Sequence, residues 1–217
     1  PEGFLWERGC KIVRSDKHTL VTPNGRSFEI KTWGTLPYIT KDDLNLPLPL
    51  VLKPLDDGSS FGISLCHTET QLKEACESLL TGRKYMEEGL IQGQEITIGI
   101  IDGTPLPIME IIPPPDLSSY DFEAKYERDD TQYILNPKLP PNTCIEQALC
   151  IYEKLQLRDL ARVDFIVDNQ SSWFLEVNTM PGFTDHSLLP LAAKETGISM
   201  QSLCRTLVQL ALHRTSR

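Results

Sequence analysis

The amino-acid sequence predicts an α+β protein with a largely antiparallel sheet. Three observations favour this class: short strand-like segments, helical segments with regularly spaced apolar residues, and turn signals of the hairpin type between neighbouring strands. The 217 residues correspond to one or two domains at roughly 150 residues each. Their content, 40% hydrophobic and 24% charged residues, is ordinary for a globular chain with a real core.

Charge, hydropathy and cysteine content exclude several classes of protein. With Lys+Arg 21 against Asp+Glu 30 the net charge is −9, which argues against a nucleic-acid surface. The longest apolar stretch, near 48–52, is far shorter than the roughly 18 residues that a membrane span needs, and no secretory signal opens the chain. Six cysteines without a C-x-x-C pair predict neither a zinc site nor a disulfide scaffold, and hence a reducing, cytoplasmic compartment. We expect Cys76, Cys150 and Cys204 to be buried.

The first half of the chain carries two predicted strands and one predicted helix. Residues 1–44 lack periodicity, so we expect irregular structure there with one or two short strands. The segments LPLVLK (48–53) and ISL (63–65) are strand-like and flank the Gly-Ser loop DDGSSFG. Thr68-Glu-Thr-Gln71 has the form of a capping box. The helix after it is expected to end near Gly82. It carries apolar residues at helical spacing: Leu72, Ala75, Cys76, Leu79 and Leu80.

The second half shows clearer patterns. EITIGII (95–101), Asp102-Gly103 and PLPIMEII (105–112) predict a hairpin. A helix is expected from about Thr143. The segments LARVDFIVD (160–168) and WFLEVNT (173–179) predict two strands joined by a polar turn, and helices near 187–196 and 199–213 end the chain.

The last strand pair carries the most informative polar residues. Alternate side chains of a strand share a face, so the apolar faces are expected to consist of Val163, Phe165 and Val167 on one strand and Trp173, Leu175 and Val177 on the other. If the strands pair, Asp164, Glu176 and Asn178 converge on the opposite face beside Arg162. Two carboxylates and a carboxamide suit Mg²⁺ or Mn²⁺. A solvated, charged sheet face is the alternative.

Two further features are weaker. Lys53 ends a strand before a Gly-Ser-Ser loop, where a lysine and glycine amides suit phosphate, but the order of residues is not that of a Walker A motif and a plain surface loop is the alternative. The Pro181-Gly182 turn precedes a helix for which Thr184 or Ser187 is the candidate cap. Such a turn either binds an anion or only leads into the helix.

Several segments together resemble the D-alanine–D-alanine ligase family of the ATP-grasp superfamily. They are LVLKPLDDGSSFGIS, IQGQEITIGI, YDFEAKY, RVDFIVD and FLEVNTMPGFTDHSLLP, in the family's order and spacing between about Thr35 and Ile198. The resemblance implies two α+β subdomains with antiparallel sheets gripping the nucleotide: a central one (35–91) and a C-terminal one (92–217). Residues 1–34 would be a truncated or divergent start of the central domain, with the N-terminal pre-ATP-grasp domain missing.

The resemblance also implies roles for individual residues. The expected ATP-binding residues are Lys53 at the phosphates, Lys125 near the nucleotide, Glu88 and Ile91 at the adenine, and Glu95 at the ribose. Two Mg²⁺ or Mn²⁺ ions would be held by Asp164, Glu176 and Asn178. Arg162 and the Gly182 N–H would stabilise charge on the first substrate, and Ser187 and Leu188 would hold the second D-alanine's carboxylate. Loop contacts of Ser59 and Tyr126 would close the site.

The implied function is the ATP-dependent joining of two D-alanines, through an acyl phosphate, for peptidoglycan. One alternative is a truncated Mg-ATP-binding fragment or pseudoenzyme without turnover. Another is an ATP-grasp carboxylate–amine ligase with a different substrate. The expected partners are D-alanine, ATP and a second copy of the chain as a homodimer, with no nucleic acid and no membrane.

Overall fold

The computed structural model describes residues 18–21, 27–30, 47–54, 60–80, 85–115, 128, 130–140 and 143–213. The chain divides into two compact units. The first comprises Pro1, Thr32–Gln92 and Ile112–Gln132, and the second Glu2–Lys31, Gly93–Ile111 and Tyr133–Arg217. The domain boundaries expected from the resemblance stay a prediction, and the second unit also takes in the segment 2–31.

Strands and helices alternate irregularly along the described ranges. The strands are β1 (His18–Val21), β2 (Ser27–Ile30), β3 (Leu50–Pro54), β4 (Ser64–Cys66), β5 (Tyr85–Gly89), β6 (Gln94–Ile101), β7 (Thr104–Pro105), β8 (Met109–Ile112), β9 (Gln132–Leu135), β10 (Leu160–Val167) and β11 (Ser172–Asn178). The helices are α1 (Glu69–Ser78), α2 (Cys144–Lys154), α3 (Leu188–Glu195) and α4 (Met200–Leu212). The predicted α+β class is confirmed, as are the strands and helices predicted from residue 48 onward.

The first unit contains a three-stranded antiparallel sheet with β3 between β4 and β5. One face of this sheet and helix α1 enclose a small core formed by Leu50, Leu52, Cys66, Ala75 and Tyr85. The predicted capping box is confirmed, because Thr68 Oγ1 accepts the Gln71 N–H and Gln71 Oε1 accepts the Thr68 N–H. The expected end of the helix near Gly82 is wrong: α1 ends at Ser78, and Leu80 follows it, largely exposed. Gly82 lies outside the described residues.

The second unit contains the larger sheet, with strand order β11-β10-β6-β8-β9 and β7 paired to β6. The hairpin from β6 to β7 turns at Asp102 and Gly103, whose φ angles of 47° and 74° are those a two-residue turn of this kind requires. Helix α2 covers one face of the sheet. There Ile98 of β6 and Val163 and Phe165 of β10 pack with Ala148 and Ile151 of the helix.

A β-bulge in β11 makes the predicted apolar face of this strand wrong. Asp164 lies opposite Glu176, but the next residue, Phe165, lies opposite Phe174, so Leu175 is an extra residue in β11. The bulge reverses the alternation, and Phe174, not Trp173 or Leu175, joins Val177 against the core. The rings of Phe165 and Phe174 meet edge to face with centroids 6.0 Å apart. Trp173 instead donates its indole N–H to Asp168 Oδ2 at 2.8 Å.

The five described cysteines are free thiols. Cys150 is buried as predicted, Cys76 is half-buried, and the expectation for Cys204 is wrong because it lies on the exposed side of α4. Burial raises the pKa of the Cys144 thiol to about 11 and also raises that of Cys66. Among the described residues, no helix is both long and apolar enough to cross a bilayer.

Candidate functional site

The polar face of the β10–β11 hairpin brings four predicted site residues together. In the strand register Asp164 lies opposite Glu176, and Arg162 lies opposite Asn178. These two pairs are separated by one residue on each strand, so all four side chains lie on the same face. Both pairs lie on the same side of the bulge at Leu175, and for that reason the prediction from alternation holds here.

Asp164 is the most constrained member of this group. It is 7% exposed, and Arg162 grips it with two parallel hydrogen bonds, Nε to Oδ1 at 3.0 Å and Nη2 to Oδ2 at 2.9 Å. From the neighbouring strand β6, the Thr97 hydroxyl also donates to Oδ1, at 2.6 Å. Hydrogen bonds between charged groups are stronger than neutral ones. The Asp164 carboxylate is therefore held on both sides.

Glu176 and Asn178 are more accessible. Glu176 is exposed, and within the described part of the chain no hydrogen bond or ion pair involves its carboxylate. Asn178 is half-buried, and its Oδ1 accepts the Met180 N–H at 3.0 Å, which orients the carboxamide. Two carboxylates placed directly across a sheet repel each other. Arg162 neutralises one of them, so the group keeps a net negative charge toward solvent.

These residues fit a magnesium or manganese ion. The described residues contain no cluster of three or more His, Cys, Asp or Glu side chains that could hold a metal. A site here therefore relies on two carboxylates, the Asn178 oxygen and ligands from outside the chain. Mg²⁺ characteristically binds through one or two carboxylates together with phosphate oxygens and water. The donor set thus suits an ion that arrives with a nucleotide.

The loop after β11 is organised around the Ser187 hydroxyl. Ser187 Oγ accepts the Thr184 N–H at 3.0 Å and lies 2.9 Å from Thr184 Oγ1. A Cβ added to Gly182 would lie 2.9 Å from the same Oγ, so a side chain at 182 would displace it. Ser187 occupies the N-cap position of α3, but its side chain makes no cap hydrogen bond and turns back to the loop instead.

Packing at Gly99 places α3 next to the polar face. Gly99 lies opposite Arg162 in the β6–β10 register. A Cβ at Gly99 would come within 2.9 Å of Leu106 Cδ1 and 3.4 Å of Leu189 Cγ. Because Gly99 has no side chain, Leu189 of α3 packs directly against β6. The first residue of the helix, Leu188, is buried beside it.

Two predicted residues of the first unit form an ion pair. Lys53 Nζ lies 2.6 Å from Glu88 Oε2. Their strands β3 and β5 are neighbours, and Glu88 lies opposite Val51. The side chains of Lys53 and Glu88 therefore lie on the same face of the sheet, the face that points away from the core around Leu50 and Leu52. Ile91, two residues after β5, is half-buried.

The remaining predicted residues have different outcomes. Glu95 lies on β6 opposite Ile166 and Ile111, half-buried. Ser59, Lys125 and Tyr126 lie outside the described residues. Sequence reasoning missed Thr97 and Gly99, although alternation along EITIGII does place Glu95, Thr97 and Gly99 on one face.

Comparison with known proteins identifies the family to which this sequence is similar. Residues 27–209 match the family model described as D-ala D-ala ligase C-terminus. A D-alanine–D-alanine ligase of Acinetobacter baumannii is 38% identical over 195 residues, which are 84% of this chain and 63% of that protein. The chain therefore spans a little less than two thirds of the length of this relative.

Solved structures agree in fold. The crystal structure of D-alanine–D-alanine ligase from Bacillus anthracis matches with a TM-score of 0.68 and 31% identity over 84% of this chain and 62% of that one. The crystal structure of the same ligase complexed with ATP matches with a TM-score of 0.66 and 30% identity, over the same shares of the two chains. The predicted ATP-grasp fold is thus confirmed, and the chain belongs to the D-alanine–D-alanine ligase family.

Proposed function

We propose that this chain carries out the ATP-dependent joining of two D-alanines into D-alanyl-D-alanine for peptidoglycan. The observation that carries the proposal is the Asp164–Glu176 pair, which lies across one sheet face with Arg162 bonded to Asp164. Relatives named D-alanine–D-alanine ligase, and a solved relative complexed with ATP, support this choice over other ATP-grasp reactions.

In this proposal ATP is the co-substrate. Lys53 contacts the phosphates of ATP, and Lys125 lies near the nucleotide. The adenine is contacted by Glu88 and Ile91, and the ribose by Glu95. Lys53 already has Glu88 as a partner at 2.6 Å. A phosphate oxygen must therefore draw the ammonium away from this carboxylate, or share it.

Asp164, Glu176 and Asn178 would hold Mg²⁺ or Mn²⁺, in a pair of ions as the family resemblance implies. When bound, such ions neutralise the charge on phosphate oxygens and so lower the barrier to their transfer. The chain's own contribution is to fix the oxygens of Asp164 and Asn178 in place. Arg162, Thr97 and the Met180 N–H do so through the hydrogen bonds described above.

The proposed reaction has two steps. A carboxylate oxygen of the first D-alanine attacks the γ-phosphorus of ATP, which releases ADP and leaves an acyl phosphate. The amine of the second D-alanine then attacks the acyl carbon, the C–O bond to phosphate breaks, and the nitrogen loses a proton. Arg162 and the Gly182 N–H stabilise negative charge on the reacting carboxylate.

Positioning residues account for the rest of the proposed site. Ser187 and Leu188 hold the carboxylate of the second D-alanine, and loop contacts of Ser59 and Tyr126 exclude the water that would hydrolyse the acyl phosphate. A cytoplasmic location suits the free thiols. Assembly into a homodimer also belongs to this proposal.

Phosphate release is the experiment that tests the function. We expect release from Mg-ATP to require D-alanine and to fall by about a hundredfold or more in Glu176→Gln, because one of few cation ligands is lost. Glu153→Gln is the matched control, since Glu153 is exposed on α2, which covers the opposite face. D-alanine-independent release, or unchanged release in Glu176→Gln, contradicts the proposal. Thermal stabilisation by Mg-ADP without any D-alanine-dependent release favours nucleotide binding alone.

A further inference from the structure

We infer that Thr97 is a positioning residue for Asp164: its hydroxyl fixes one carboxylate oxygen and leaves the other for the cation. The inference rests on the proposed function. Thr97 lies on β6 directly opposite Asp164 and is 3% exposed. A buried hydroxyl in a strand otherwise rich in isoleucine needs a partner, and Asp164 Oδ1 supplies it at 2.6 Å.

The hydrogen bonds at Asp164 distinguish its two oxygens. Each carboxylate oxygen offers about two lone-pair sites. Oδ1 accepts from Thr97 Oγ1 and from Arg162 Nε, so both of its sites are used. Oδ2 accepts only the Arg162 Nη2 N–H among the described residues, which leaves one site. Oδ2 is therefore the oxygen through which Asp164 would hold a cation.

Thr97 and Arg162 hold the carboxylate from different places. Arg162 lies two residues before Asp164 on the same strand, and in the proposed reaction it also serves the substrate. Thr97 comes from the adjacent strand, at the cross-strand distance of about 5 Å between Cβ atoms, with a β-branched side chain that has few rotamers. When Arg162 donates to a substrate, Thr97 still holds Oδ1. The orientation of Asp164 then does not depend on the state of the reaction.

A purely structural role makes a different prediction. If the hydroxyl only satisfied a buried carboxylate, its removal would lower the melting temperature and leave cation binding unchanged. A positioning role predicts weaker cation binding in every variant without the hydroxyl. Groups that hydrogen-bond to metal ligands typically change metal affinity by about 10–100-fold when they are removed.

The experiment measures Mn²⁺ binding to the whole chain in the presence of ADP, by electron paramagnetic resonance of free Mn²⁺, together with the melting temperature. Thr97→Val keeps the shape and removes the hydroxyl, Thr97→Ala removes both, and Thr97→Ser keeps the hydroxyl. We expect the Kd for Mn²⁺ to rise about tenfold or more in the Val and Ala variants and to stay within about twofold in Ser. The Ala variant keeps the test valid if the Val variant fails to fold.

Three outcomes overturn the inference in distinguishable ways. If Asp164→Asn abolishes Mn²⁺ binding while Thr97→Val and Thr97→Ala bind as the unaltered chain does, the cation site stands and Thr97 is only structural. If Asp164→Asn itself leaves the Mn²⁺ affinity unchanged, the proposed cation site fails, and with it the role of Thr97. A loss in Thr97→Ser as large as in Thr97→Val also contradicts a role for the hydroxyl.

Discussion

Lys53 Nζ lies 2.6 Å from Glu88 Oε2, across the neighbouring strands β3 and β5. The side chains are 23% and 20% exposed, so water screens the pair less than it screens a pair on the open surface. The lysine proposed to meet the ATP phosphates is therefore already held by the glutamate proposed to meet the adenine. The ion pair fixes the direction of Lys53 before any nucleotide binds.

The Lys53–Glu88 pair should be measurable as a coupling energy. In a double-mutant cycle of Lys53→Met and Glu88→Gln, we expect a favourable coupling of about 1 kcal/mol in the free energy of unfolding, at the upper end for partly exposed pairs. Urea denaturation of the four proteins measures it. The same cycle with Lys73→Met, an exposed lysine of α1, in place of Lys53→Met is the control and should show none. A coupling indistinguishable from zero for Lys53 and Glu88 would mean that the pair does not hold Lys53.

The Arg162–Asp164 pair should matter far more for stability. Arg162→Met leaves the carboxylate of Asp164 buried without its cation, and we expect the free energy of unfolding to fall by about 3 kcal/mol. Adding Asp164→Asn removes the uncompensated charge, so the double variant should be more stable than Arg162→Met alone. Urea denaturation of both variants checks this. A double variant that is no more stable than Arg162→Met alone would contradict the account.

Gly182 should be required for the geometry at Ser187. A Cβ at 182 would lie 2.9 Å from Ser187 Oγ, so Gly182→Ala displaces this hydroxyl. Because Ser187 is proposed to hold the second D-alanine, we expect a KM for D-alanine raised about tenfold, with thermal stabilisation by Mg-ADP retained. Ser187→Ala should raise the KM similarly. If Gly182→Ala leaves the KM for D-alanine unchanged, the close approach has no part in substrate binding.

The cysteines should differ in reactivity. Cys144 is buried, which makes its thiol inaccessible and raises its pKa to about 11, so that the thiol stays protonated at pH 8. Cys204, by contrast, is exposed on α4. We expect iodoacetamide to modify Cys204 and to spare Cys144 in the folded protein, with both modified in urea, as mass spectrometry of peptides would show. Between pH 9 and pH 11 the Cys144 thiol ionises in the unfolded chain but not in the folded one. The free energy of unfolding therefore falls as the pH rises through this range. Rapid modification of Cys144 in the folded chain would contradict its burial.

Local signals explain what the sequence predicted well. The capping box at Thr68, the turn at Asp102-Gly103 and the alternation that places Asp164 and Glu176 on one face are each set by residues within a few positions of one another. Such signals depend on neighbouring residues and not on long-range packing. The convergence of Asp164 with Glu176 follows from two strand patterns and one short turn.

The features that the sequence did not predict depend on long-range packing. No feature of WFLEVNT marks Leu175 as the extra residue of a bulge, because the bulge depends on how β11 pairs with β10. The Lys53–Glu88 contact likewise requires the register of β3 against β5. Cys204 has apolar neighbours in sequence, yet α4 buries only Leu203. Thr97 is the exception, since it was missed although alternation along EITIGII places it on one face with Glu95 and Gly99.

Transfer of an oxygen atom from D-alanine to phosphate distinguishes the proposed ligase reaction from plain hydrolysis of ATP. In the proposed reaction an oxygen of the first D-alanine's carboxylate attacks phosphorus and later leaves with the phosphate. With D-alanine labelled by ¹⁸O in its carboxylate, we therefore expect each phosphate released to carry one ¹⁸O atom, as mass spectrometry would detect. Phosphate released without ¹⁸O, in the presence of labelled D-alanine and ATP, would show plain ATP hydrolysis and contradict the account.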